Sequence, residues 1–148
     1  MRRPVPLFLL LALTACAKVD PDEVLERRKA ALALPDKPPL TFKQAMDLIS
    51  KADLEELIRE TASGKRDTDA ALGDGLRVAN ILERTQLETA GRHRKQDPQA
   101  FDALFLKGLR QSRDMARAAA AGDEALTRRR ADELDTSCVE CHTTHRLE

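Results

Sequence analysis

The segment Cys138-Val139-Glu140-Cys141-His142 lies near the end of the 148-residue chain and constrains the fold more than any other stretch. Two cysteines three residues apart share one face of a helix, because residues at three- and four-residue spacing meet on the same side. His142 follows Cys138 by four positions, so its imidazole can turn back over whatever the sulfurs grip. C-x-x-C-H is the signature of covalent c-type haem attachment, in which both sulfurs hold one edge of a flat macrocycle and the histidine reaches the iron. The remaining chain then reads as a container for that helix.

The container is helical. Alanine is abundant, leucine recurs, and β-branched runs are nearly absent; these preferences favour helix throughout. A first helix is expected from a Thr41 cap to about Ser63, with Phe42, Ala45, Met46, Ile49, Asp53 and Leu57 at three-four spacing and Leu54 and Ile58 on a neighbouring stripe. The lone Asp53 flaws the first stripe. A second helix is expected over about residues 69 to 89, in spite of Gly73 and Gly75, each of which lowers helix propensity by about 1 kcal/mol relative to Ala. Close packing of a neighbour would repay them; a frayed first turn is the alternative.

Asp97-Pro98 supplies a cap with proline at the first helical position and opens a third helix running to about Ala121. Its stripe contains Phe101, Phe105, Gly108, Ser112, Met115 and Ala119, with Met115 read as core filler. Gly122 stops it, and Asp123 caps a fourth helix whose inward side is Leu126, Ala131, Leu134, Cys138, Cys141 and His145. Four helices joined by short turns imply an all-α fold, an antiparallel up-down-up-down four-helix bundle with its cofactor on the C-terminal helix.

The stretch Leu134-x-x-x-Cys138-x-x-Cys141-His142-x-x-His145-Arg146 resembles the last helix of the cytochrome c prime family, four-helix bundles whose haem hangs from the final helix. The family ending is C-x-x-C-H-x-x-aromatic-Arg. Arg146 matches it, whereas His145 stands where Phe or Tyr is usual. The resemblance covers residues 41 to 146, and only the haem motif within it is sharp. It implies one covalent haem c, with iron held by His142 on the proximal side. The sixth position divides the family: some members present a Met sulfur from the first helix and carry electrons on low-spin iron. Others close the distal face with apolar side chains, leave the iron five-coordinate and bind nitric oxide or carbon monoxide. Met46 corresponds roughly to the Met of the first type, although a buried Met is ordinarily core.

Arg146 lies one turn beyond His142. The helix dipole favours a cation there, within reach of the proximal face or a propionate; a solvated terminal charge is the alternative. His145 is expected to pack beside the haem. His93, among Arg92, Arg94 and Lys95, reads as an exposed loop histidine with reach to a propionate. The competing reading of the motif is a zinc site from Cys138, Cys141, His142 and His145, although it lacks the usual long spacer between ligand pairs. A redox dithiol is the other, but such motifs belong near βαβ patterns.

The N-terminus reads as an export signal. Arg2 and Arg3 precede the apolar run Val5–Leu13, which is too short to span a membrane. Leu13-Thr14-Ala15-Cys16 resembles a bacterial lipobox, so Cys16 would be the first mature residue and carry the lipid. Residues 1–15 are thus a lipoprotein signal peptide, 16–40 a lipidated, charged, Pro-rich tether with one short helix over 22 to 34, read as a stalk with a helix packed on the bundle as the alternative, and 41–148 the bundle. An ordinary cleaved signal is the alternative. The expected location is periplasm-facing, on a bacterial outer membrane in preference to the inner one.

Lysine plus arginine balances aspartate plus glutamate, 25 against 25, so no basicity argues for nucleic acid. Three phenylalanines beyond residue 15, without Tyr or Trp, make a thin core that a buried haem would fill, although Leu and Ala can fill a bundle without one. The expected partners are periplasmic redox proteins and, through the lipid, a membrane; a homodimer is compatible with the bundle. No acid–base pair or nucleophile arrangement surrounds the motif, so no enzymatic turnover is expected. The readings in order are an exported monohaem electron carrier, a five-coordinate haem protein for nitric oxide or carbon monoxide, and a non-haem metal-binding or structural lipoprotein.

Overall fold

The structure, a computed structural model, describes residues 20–32, 34 and 38–145. The signal segment, Cys16 and Arg146 lie outside the described residues. Within them the chain is all-α apart from one two-residue parallel bridge.

Helix α1 is Pro21–Ala31; the Asp20 side chain accepts from Asp22 N and Pro21 occupies the first turn. The helix lies against α5, with Val24, Leu25 and Leu32 packed on a small cluster of Ala71, Leu72, Leu76, Ala116 and Ala119. Arg117 donates to Asp22 at 2.9 Å across that contact. The part of the expected tether that forms a helix is therefore docked on the helical body.

Strand β1, Leu40–Thr41, leads into α2, Phe42–Lys51. A capping box fixes the start: Gln44 N donates to the Thr41 hydroxyl, and Thr41 N donates back to Gln44 Oε1 at 2.9 Å. Satisfying two otherwise orphaned donors sets the first turn at Phe42. The first helix does not run unbroken to Ser63 as its periodicity predicts. It stops at Lys51, Asp53 takes a left-handed conformation with φ +50°, and α3 begins afresh over Leu54–Ala62. The two stripes in the sequence belong to two helices. Phe42, Ala45 and Ile49 are buried by α2, and Leu54, Ile58 and Thr61 by α3. A straight helix would have carried Asp53 inward; the break leaves it exposed.

Helix α4, Thr68–Glu83, is capped by Asp67, which accepts from Ala70 N at 2.7 Å. It stops short of the boundary expected near Thr89, because the chain turns at Arg84 into strand β2, Thr85–Gln86, and a 3-10 segment, Leu87–Arg94. β2 pairs with β1, Leu40 opposite Thr85 and Thr41 opposite Gln86. Phe42 N donates to the Thr89 hydroxyl at 2.7 Å, tying the start of α2 to this segment.

Helix α5, Pro98–Ala120, starts where expected, with Asp97 accepting from Ala100 N. Helix α6, Glu124–His145, starts after Asp123, whose carboxylate accepts from Leu126 N at 2.9 Å. The most extensive packing joins α5 to α6 and to α4, and α3 lies on α6.

Phe101, Leu54, Ile58, Met115 and Leu134 are fully buried in the main core, each contributing about 1.5–3 kcal/mol of transfer free energy. Met115 is core, as read. Gly75 repays its low helix propensity: a Cβ there would stand 3.0 Å from Ser112 O and 3.1 Å from Ala116 N, so α4 approaches α5 at backbone distance. Gly73 has open space around it.

Candidate cofactor cavity

The last turns of α6 carry the site. Ala131 and Leu134 bury one face against α3 and α5, which forces residues three, four and seven positions later along that side towards the interior. Ser137 is buried and keeps its hydroxyl satisfied by donating to Glu133 O at 3.1 Å. Cys138 packs on the main core, while Cys141 and His142 are half-buried.

Two adjoining cavities meet at these residues. An inner one of 70 Å³ is lined by Cys138, Cys141, His142 and Met46, with apolar walls that include Ile58, Val78 and Phe105. An outer one of 680 Å³ is lined by Cys141, His142, Met46, Phe42, Phe101, His93 and His145. Phe42, Met46, Glu55, Cys141 and His142 belong to both. The outer volume falls in the range of about 300–1,000 Å³ typical of small-molecule and cofactor sites. Gly108 leaves room at the inner wall, where a Cβ would meet only Leu82 Cδ1, at 3.8 Å.

Burial governs the sulfur chemistry. It pushes the Cys138 thiol up from 9.0 to about 12, and the neighbouring Glu55 and Asp135 carboxylates add to the effect. Burial also raises Cys141, with Glu140 contributing. Both groups are neutral thiols at pH 7, unlike the low-pKa thiolates of redox-active C-x-x-C sites. Among the described residues no group of three or more His, Cys, Asp or Glu side chains is arranged to hold a bare metal ion.

All three histidines of the chain line the outer cavity. His142 Nε2 lies 3.7 Å from Glu55 Oε1, a carboxylate on α3 that sequence reading did not single out. Only the break at Asp53 signals it, since the break sets which residues of α3 turn towards α6. His93 is half-buried, not exposed as its basic neighbours imply. Its Nδ1 donates to the backbone carbonyl of His145 at 2.9 Å, and its ring lies 5.3 Å from Phe42. His145 is 6 % exposed and meets Phe101 edge-on, at 5.2 Å and 88°. Neither of its ring nitrogens has a partner, a loss of about 1–3 kcal/mol for a buried polar group.

The sequence-derived candidates thus divide plainly. Met46, Cys138, Cys141 and His142 come together around one space, His145 and His93 border its outer part, and Arg146 and Cys16 lie outside the described residues. This donor set fits a c-type haem: two neutral thiols and an imidazole on one helix, a thioether sulfur from another, and apolar walls between. No family model, curated protein or solved structure matches the chain.

Proposed function

We propose that this protein is an exported monohaem c-type cytochrome that carries single electrons, with the helical body acting as a four-helix bundle of the cytochrome c prime kind. The observation that carries the reading is the convergence of Cys138, Cys141, His142 and Met46 on a shared cavity. Cys138 and Cys141 would hold the haem covalently and His142 would ligate its iron, with Met46 as the sixth ligand. When bound, the haem supplies a one-electron iron couple whose potential follows axial ligands, burial and hydrogen bonding.

The chain's own residues do the rest. Leu134 and Ala131, both fully buried, anchor α6 so that the motif keeps its facing. Phe42, Phe105, Ile58 and Val78 exclude water from the inner space. Glu55, 3.7 Å from His142 Nε2, is the carboxylate available to orient that ring. The bundle topology, the Cys16 lipid anchor, a periplasm-facing location and Arg146 beside the proximal face or a propionate belong to the same proposal. Among the described residues no helix is long and apolar enough to cross a membrane; the membrane attachment in this proposal is the lipid on Cys16.

The test is the purified mature protein. Intact mass should exceed the polypeptide by one haem that resists acid extraction, and reduced and oxidised spectra should be those of low-spin iron. A mass without haem ends the reading. Met46→Ala should convert the spectrum to high-spin. An unchanged low-spin spectrum in that variant would remove Met46 as ligand, and a high-spin wild type that takes up carbon monoxide would favour the five-coordinate alternative, which the apolar inner wall also suits.

A further inference from the structure

One charge stands among the apolar walls of the inner cavity. The lining is apolar apart from the haem motif, Ser137 and Glu55, so among the described residues Glu55 supplies the only carboxylate there. The same side chain lines the outer cavity. It belongs to the first turn of α3, where the helix dipole favours negative charge. Burial of Leu54 and Ile58, on the same short helix, holds that turn in place.

That charge has no permanent cation beside it. Its one ion pair among the described residues is the 3.7 Å contact to His142 Nε2, and an imidazole is positive only when doubly protonated. The neighbouring carboxylates differ: Asp135 is paired with Arg59 at 3.4 Å, and Asp47 with Lys43 at 2.8 Å. The field of Glu55 reaches the motif, since it adds more than Asp135 does to the raised Cys138 thiol, after burial itself. The Glu55 side chain is 36 % exposed, so solvent screens it only in part. A carboxylate so placed favours any positive charge that arises next to it.

A one-electron iron couple creates such a charge. Ferrous iron gives one electron to a partner protein and becomes ferric, with one more positive charge in the cavity. We propose that Glu55 biases this couple, its carboxylate stabilising the ferric form and so lowering the reduction potential. The proposal rests on the haem reading above and goes beyond it, because it assigns the direction in which this chain tunes its cofactor. Glu55 makes the protein a stronger electron donor, and so widens the set of acceptors it can reduce.

Spectroelectrochemical titration of the haem-loaded protein tests this. Glu55→Gln keeps the shape and removes the charge; it should shift the equilibrium towards ferrous iron roughly 3- to 10-fold, or about 30–60 mV upward, with the absorption spectra unchanged. Glu55→Asp, which keeps the charge, should stay near wild type, and Asp135→Asn should move the potential less than Glu55→Gln does. The gap between Glu55→Gln and wild type should narrow as salt rises from about 0.01 M to about 1 M, which a merely structural effect would not do. A second readout needs no iron. In protein prepared without haem, Cys138 should alkylate severalfold faster in Glu55→Gln than in wild type, because one cause of its raised thiol is gone. Thermal melts of each variant check that the fold survives. An unmoved potential in covalently loaded Glu55→Gln overturns the role of Glu55 and leaves the functional reading standing, as does an unchanged Cys138 rate. Absence of covalent haem by mass overturns the functional reading, and this proposal with it.

Discussion

The Cys138 thiol gives the sharpest test of the site as folded. Burial on α6, with Glu55 and Asp135 nearby, raises it from 9.0 to about 12. At about pH 8 that shift cuts the thiolate fraction roughly a thousandfold, since each unit is nearly a factor of ten there. A more basic thiolate is also a better nucleophile, and a Brønsted slope of about 0.4–0.5 returns roughly twentyfold over three units. Cys138 in folded, haem-free protein should therefore alkylate about fiftyfold more slowly than in urea-unfolded chain. Iodoacetamide labelling followed by peptide mass spectrometry measures both rates in one digest, and Cys141 should be slowed as well, since its thiol is also raised. Folded and unfolded rates for Cys138 within about threefold of each other would refute the burial argument. Loss of labelling in urea at both cysteines has a different meaning: the sulfurs are already thioethers. The same linkage fixes a pH window. A folded pKa above the unfolded value means that the stabilisation is complete below about pH 9 and is lost as pH rises towards 12, so haem-free protein should lose stability through that alkaline interval. Cys138→Ser should flatten the loss.

Gly75 and Gly73 separate propensity from packing. Gly75→Ala should destabilise by about 1–3 kcal/mol, because its Cβ would meet Met115 Cε and Ser112 O at 3.0 Å, whereas Gly73→Ala, in open space, should stabilise by about 1 kcal/mol; urea midpoints decide both. Asp74, 1 % exposed, is ion-paired with Arg66 Nη2 at 2.8 Å, and Asp74→Ala should cost about 3 kcal/mol by removing the nearest counter-charge of the guanidinium. Desolvation outweighs Arg66 and raises the Asp74 carboxyl above its ordinary 3.8, so its stabilising contribution is present at low pH and lost as pH rises through the raised value. Asp74→Asn should remove that dependence from pH-resolved melts. Asp53, at φ +50° with no side-chain cap, should tolerate Gly without loss, while Asp53→Val should cost about 1–2 kcal/mol in the same urea assay.

What could be read from the chain alone follows the range of the forces involved. The starts of α2, α5 and α6 were legible because Thr41, Asp97-Pro98 and Asp123 act on amides two or three residues away. The facing of Cys138, Cys141 and His142 was legible for the same reason, since helix geometry alone sets it. The break at Asp53 was not. The stripes before and after it each have helical spacing, and only the competition between burying Leu54 and Ile58 on α6 and keeping Asp53 in water forces a turn there. Nor could two-residue strands be foreseen, because β1 and β2 hold each other from distant parts of the chain with no run of β-formers in either. The meeting of His93 with His145, 52 residues apart, likewise exists only after α5 and α6 have packed.

These nonlocal features bear directly on the site. Met46 sits on a helix of only 10 residues, too short to be stable alone. Its place over the cavity is set from outside: by the β1–β2 bridge and the Phe42–Thr89 bond at one end, and by the left-handed turn at Asp53 at the other. A continuous helix over 41–63 would have fixed the position of Met46 from that of Leu54 and Ile58, which pack on the core. The break uncouples them. The reach of the Met46 sulfur therefore depends on Thr41, Thr89 and Asp53, none of which touches the haem motif. Thr89→Val, which deletes the acceptor for Phe42 N while keeping the shape, should loosen α2 and lower the low-spin fraction of loaded protein without altering covalent attachment. An unchanged spectrum with a weakened Phe42 amide bond by hydrogen exchange would show that Met46 is not held through this end of the helix.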